Sequence, residues 1–143
     1  MSFIMEREID AGGRWTTAHN RFALATSEES VRLGVPLGRT VVRVMRVRQT
    51  QGRNDLVEAT VLPMGASPRA AASGVAEERV SIVPAPDWVA EVLDVAASTP
   101  LLKLDRIMRT QAGAPIEWRL MFSLSSPSPS ASVPHRKLRA QNR

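Results

Sequence analysis

Thr40-Val-Val-Arg-Val-Met-Arg46 and, sixty residues later, Pro100-Leu-Leu-Lys-Leu-Asp-Arg106 are the stretches on which the fold turns. Their apolar positions coincide, and each is preceded at the same distance by a Leu-x-Val tripeptide, Leu33-Gly-Val35 or Leu93-Asp-Val95. After each run comes a glycine-containing turn, Gln49-Thr-Gln-Gly52 or Thr110-Gln-Ala-Gly113, and then a branched residue followed by glutamate, Val57-Glu58 or Ile116-Glu117. Similarity at a fixed spacing marks a repeated structural unit. Each unit reads as helix, strand, turn, strand.

Local signals support that reading. Thr26-Ser-Glu-Glu29 has the pattern of a capping box, Val31 and Leu33 follow on the helix, and Gly34 stops it. In the second unit Pro86 suits a first helical turn and Asp87 complements the helix dipole, while Trp88, Val92, Leu93 and Val95 supply an apolar stripe. The Val-, Leu- and Ile-rich runs joined by short polar turns predict antiparallel hairpins. A further strand precedes each helix, at Arg21–Ala25 and Arg79–Val83. The expectation is an α+β domain of about six mostly antiparallel strands, two βαββ halves with helices on one face.

The 143 residues suffice for one domain, with 43% hydrophobic and 23% charged residues. Residues 1–13 read as a lead-in, 14–124 as the domain with a connector at 64–76, and 125–143 as a Ser/Pro-rich basic tail expected to be disordered. Cysteine is absent, which excludes disulfides, thiol nucleophiles and thiolate metal sites and fits a cytoplasmic protein. With only His19 and His135, a histidine-rich metal centre is excluded too. No apolar run has the length of a membrane helix, and no P-loop, dinucleotide glycine turn or hydrolase triad partner for Ser81 is present. The expectation is therefore no cofactor, no metal and no catalytic residue.

The net charge of +5 invites a nucleic-acid reading. Residues 123–143 hold four basic and no acidic side chains, leaving the first 122 residues with 15 basic against 14 acidic ones. The basic balance therefore belongs to the tail, which could contact phosphates non-specifically.

Inside the strands, residues of equal parity share a face. Val42, Val44, Arg46 and Arg48 form one such set, and Leu102, Leu104, Arg106 and Met108 another. Arginines thus fall where the apolar pattern predicts core, either at solvent-facing ends or lining a polar pocket for phosphate or carboxylate. A first hairpin turning at Gly52 sets Glu58 opposite Arg46, and a second turning near Ala112-Gly113 is expected to set Glu117 opposite Arg106. These pairs are structural salt bridges or ligand-gripping groups. His19 and the tryptophans Trp15, Trp88 and Trp118 read as structural.

Arg14-Trp-Thr-Thr-Ala-His-Asn-Arg-Phe22, Leu33-Gly-Val-Pro-Leu-Gly38, Val42-Arg-Val-Met-Arg-Val-Arg48, Glu77-Glu-Arg-Val80, Pro100–Arg106 and Gly113-Ala-Pro-Ile-Glu-Trp118 together resemble a UTRA domain. That is the effector-sensing half of GntR-type bacterial transcription regulators of the histidine-utilisation-repressor subfamily. The resemblance implies a chorismate-lyase-like fold, a homodimer, and an anionic effector such as a sugar phosphate or amino-acid-pathway compound. Binding of that effector would control DNA contact by an attached winged helix, for which the residues before Arg14 offer no room. It also implies that Arg46, Arg48, Glu58 and Glu117 face the effector. A connector shorter than usual, and Ser123 where an aromatic is expected, leave open a truncated, non-functional copy. A chorismate-lyase-like enzyme is a further alternative, by analogy of fold alone.

Overall fold

The computed structural model describes residues 13–65 and 74–124. The lead-in before Gly13, most of the connector and the Ser/Pro tail lie outside the described residues. The order of elements is β1 (Arg14–Leu24), α1 (Ser27–Leu33), β2 (Thr40–Thr50), β3 (Arg53–Pro63), β4 (Val75–Pro84), α2 (Asp87–Leu93), β5 (Pro100–Arg109) and β6 (Pro115–Ser123). The strands form one sheet in the order β1-β2-β3-β6-β5-β4, antiparallel at every pairing. This is the six-stranded, two-helix architecture expected from the repeat.

The duplication is visible in the backbone itself. Ala25 N–H donates to the Arg39 carbonyl at 2.8 Å, and Ala85 N–H to that of Thr99 at 2.8 Å. Val35 N–H bonds Ser30 O at 3.2 Å and Val95 N–H bonds Ala90 O at 3.0 Å. Arg39 N–H reaches Pro36 O and Thr99 N–H reaches Ala96 O, both at 3.1 Å. Every donor and acceptor recurs sixty residues on. The loop after each helix is thus closed by the same contacts although its side chains differ.

Local chemistry sets the boundaries. Thr26 and Glu29 make a complete capping box, and Gly34 ends α1 in the left-handed region at φ 62°. Pro86 stands at the N-cap of α2 and Asp87 opens the helix. The β2–β3 hairpin closes through Gln51 and Gly52, both with positive φ, as the twist of a two-residue hairpin requires. The strands before the helices are longer than their apolar cores suggest. β1 begins at Arg14, because the polar run ahead of Arg21 still pairs with β2 through a bulge between Thr17 and His19. β4 likewise begins at Val75.

Both helices cover the same face of the sheet. Leu33 of α1 packs with Val41, Ile107 and Trp118, while Val89, Ala90 and Leu93 of α2 pack with Val57, Leu101 and Phe122. Each helix therefore touches strands of the other half. Arg32 lies 5.4 Å over the Trp118 ring and 3.7 Å from Asp105, which also accepts from Trp118 Nε1 at 2.9 Å. Asn54 Nδ2 donates to the Val92 carbonyl at the end of α2. Val31 departs from the expected apolar helix face and is 82% exposed. Trp88 is partly exposed, with its ring edge against Phe122.

Glu29 has a second task. Its carboxylate accepts from Arg43 Nε at 2.8 Å and Arg43 Nη2 at 2.6 Å, joining α1 to β2. The Arg43 hydrogen bond holds this carboxyl below its ordinary value, against desolvation and with help from Thr26. A depressed carboxylate contributes stability above its unfolded-state value, near 4.5, and loses it as the pH falls through the folded value. Glu29→Gln is expected to cost about 1.5–3 kcal/mol at neutral pH. Urea denaturation across pH should show the difference from the parent chain shrinking below about pH 4.5.

Candidate functional site

The face turned away from the helices carries the candidate site. Strand pairing sets its side chains in rows that cross the whole sheet. One row runs Asn20, Val44, Thr60, Arg119, Arg106, Glu78, and the next runs Thr17, Arg46, Glu58, Met121, Leu104, Val80. The middle of this face is buried: Glu58, Thr60, Arg106 and Glu117 are all enclosed. Its corners are not, since Phe22, Leu24, Val80 and Ile82 are exposed.

A chain of alternating charges runs through that buried middle. Arg46 lies over the ring of Trp15, its guanidinium carbon 4.5 Å from the centroid, and donates through Nε to Glu58 at 2.8 Å. The other Glu58 oxygen is 3.5 Å from Arg119 Nη1. Arg119 Nε is 2.9 Å from Glu117 Oε1, and that oxygen is 3.7 Å from Arg106 Nη2. Arg106 Nη1 is in turn 3.6 Å from Glu78 Oε1 on the edge strand β4.

The two ends of this chain differ. The Arg46–Glu58 end is closely bonded. Around Arg106 the contacts are loose: its side chain is 6% exposed, both carboxylates stand beyond hydrogen-bond distance, and its Nε has no hydrogen-bond partner among the described residues. Glu78 Oε1 and Glu117 Oε1 are likewise buried without an aligned hydrogen bond. Burial, then the neighbouring Arg119, draw the Arg106 pKa down, while Glu117, Glu78 and Glu58 oppose them. A buried guanidinium held this loosely is poorly compensated by the protein alone.

Of the residues singled out from the sequence, Arg46, Glu58, Glu117 and Arg106 stand in this one chain. Arg48 shares their face but bonds Asp55 instead, Nε to Oδ1 at 3.1 Å and Nη2 to Oδ2 at 2.9 Å. Gly13 packs against the Arg48 side chain, where a Cβ would stand 2.7 Å from Arg48 Cδ. Glu58 is directly opposite Arg46, as expected, because a bulge that skips Asp55 adds one residue to the register of the two-residue turn. Glu117 is not directly opposite Arg106: it faces Met108, and Arg119 faces Arg106. The second turn closes over Gln111–Gly113, with Thr110 N–H bonded to Ala114 O, so the register differs by two residues from the expected one. An even shift preserves the face, and Glu117 still reaches Arg106 diagonally.

Arg119 and Glu78 are the members that sequence reasoning missed. Arg119 was legible, since it stands two residues beyond Glu117 and shares its face. Glu78 required the β4–β5 register. Among the described residues no cluster of His, Asp or Glu could hold a metal ion, and no helix is long and apolar enough to cross a membrane. His19 lies outside the chain of charges, its pKa lowered by burial and then by Arg21.

Residues 70–125 match the UTRA domain family. Among solved structures, the ligand-binding domain assigned to a GntR-family regulator of Bordetella bronchiseptica superposes with a TM-score of 0.70 at 24% identity, over 82% of this chain and 88% of that one. A GntR-family regulator of Bacillus cereus gives 0.72 at 15% identity, over 82% and 98%. The effector domain of PhnF from Mycobacterium smegmatis gives 0.68 at 22% identity, over 78% and 80%. No curated protein matches the sequence. The chain therefore has the UTRA, chorismate-lyase-like fold of the C-terminal domains of GntR-family regulators. The similar structures are regulator domains, not enzymes.

Glu58 compensates Arg46 and Arg119 together, so its loss should cost far more than an exposed ion pair. Glu58→Gln is expected to destabilise the domain by about 3–5 kcal/mol, the penalty of a buried charge left alone. The double variant Arg46→Met with Glu58→Leu should recover part of that loss in urea denaturation, because it removes Arg46 along with its partner and leaves Arg119 the carboxylate of Glu117.

Proposed function

We propose that this chain is the effector-sensing domain of a GntR-type bacterial transcription regulator, and that it binds a small metabolite carrying an anionic group. The observation that carries this reading is Arg106, a buried guanidinium beside Arg119 whose Nε has no hydrogen-bond partner among the described residues. A planar fork with open donors suits a carboxylate or phosphate, which it can grip through parallel hydrogen bonds. Arg46, Arg48, Glu58 and Glu117 would then orient the effector or hold the arginines that do. The similar structures include a ligand-binding domain and an effector domain, which supports the same reading.

In such a regulator the effector acts by population shift. Whatever it gains by bridging β5 and β6 must differ between the DNA-competent and DNA-incompetent arrangements of a joined winged helix. The setting would be the cytoplasm, with no cofactor and no catalytic step. Calorimetric screening of phosphorylated sugars and amino-acid-pathway metabolites tests the site. At least one should bind, and Arg106→Ala should weaken that ligand at least tenfold while the exposed Arg21→Ala leaves it unchanged. Absence of binding across the panel, or full affinity in Arg106→Ala, would overturn the assignment.

A homodimer belongs to the same proposal. Exposed Phe22, Leu24, Val80 and Ile82 at the corners of the polar face are suited to a second copy. Light scattering at micromolar concentration should read a dimer mass, and a monomer mass would contradict it.

A further inference from the structure

The buried middle of the polar face is balanced in charge. Three guanidinium groups, Arg46, Arg119 and Arg106, alternate with three carboxylates, Glu58, Glu117 and Glu78. Nearby, Arg48 is paired with the half-buried Asp55. An anion entering such a place brings charge that nothing among the described groups of this face offsets, and it must be desolvated to enter.

The groups lacking hydrogen bonds have both signs. Arg106 Nε is an open donor and Glu78 Oε1 an open acceptor, while Glu117 Oε1, on the other side of Arg106, has the Arg119 Nε contact at 2.9 Å but no aligned hydrogen bond. Those two oxygens stand 3.6 Å and 3.7 Å from the two terminal nitrogens of Arg106, too far for hydrogen bonds and near enough to share a small ligand with it. A ligand with only acceptors would satisfy the guanidinium and leave Glu78 open and Glu117 held only by its unaligned contact with Arg119. A ligand with an anionic group and an ammonium a few bonds apart would satisfy donor and acceptors at once and add little net charge.

Building on the proposed effector-binding role, we infer that the ligand of this site is zwitterionic: a small molecule whose phosphate or carboxylate meets Arg106 and whose ammonium meets Glu117 and Glu78. An amino acid and the phosphate ester of an amino alcohol both present this chemistry. The charge pattern thus makes the carboxylates specificity groups that select for the amine, and the arginine the anchor.

Matched probes separate the possibilities in calorimetry on the intact chain. Phosphoethanolamine is paired with ethyl phosphate, and L-aspartate with succinate. The member with the amine should bind at least tenfold more tightly in one of the pairs, and that pair identifies the anionic group. Glu117→Gln should abolish the preference, weakening the amine-bearing probe while leaving or strengthening its partner, whereas a purely structural role would weaken both equally. Glu78→Gln, on the edge strand, should act in the same direction and decides the matter if the first variant fails to fold. Equal or tighter binding of the amine-free member in both pairs would overturn the zwitterion assignment and leave an anion site standing. Binding of none of the four would overturn it too, and with a blank metabolite screen would remove the effector reading itself.

Discussion

The pairing of β3 with β6 is the constraint on which the rest of the molecule depends. It joins two halves, each of which alone would be three strands and a seven-residue helix with one face uncovered. Its register sets Thr60 against Arg119 and Glu58 against Met121, which brings Glu58 within reach of Arg119. Without that contact the charges of the first half would end at Glu58. With it, a line of ion pairs runs from β2 to β4 through the middle of the sheet.

The two faces of the sheet divide the work. On the helix face, burial is conventional: Leu33, Val41, Val57, Val89, Leu93 and Leu101 are almost fully enclosed, and each helix reaches strands of the opposite half. Apolar burial there, at about 25 cal/mol per Å², offsets the chain entropy of ordering the sheet. The other face holds charges that a folding domain does not need for stability. Their concentration around Arg106, with donors and acceptors left open, makes sense as a place where a ligand completes the hydrogen bonding.

Much of this was legible before any coordinates. The sixty-residue repeat reported the duplicated unit, the capping box located α1, and the parity of the arginines located the polar face. Glu58 opposite Arg46 was expected from a turn centred on Gly52; the structure reaches the same pairing with a two-residue turn and a bulge that skips Asp55. Glu117 opposite Arg106 did not hold, since the longer turn at Thr110–Ala114 and the bulge between Met108 and Arg109 move the pairing. Arg48 also looked equivalent to Arg46 in sequence, yet the bulge after it gives it Asp55 as its partner.

The amino-acid sequence by itself determined the elements, the hairpin partners β2–β3 and β5–β6, and the face on which each charge stands. Those depend on periodicity, caps and turns, all of which act over a few residues. Only the tertiary structure decided which charges meet. The joining of β3 to β6 and the packing of β4 beside β5 bring together residues from distant parts of the chain, and no local rule specifies the register between them. Arg106 and Glu117 stand out in the sequence only by strand parity, and Glu78 and Arg119 do not stand out at all; folded, the four come together because three strands place them side by side, with Arg106 Nε and Glu78 Oε1 left without hydrogen bonds among the described residues.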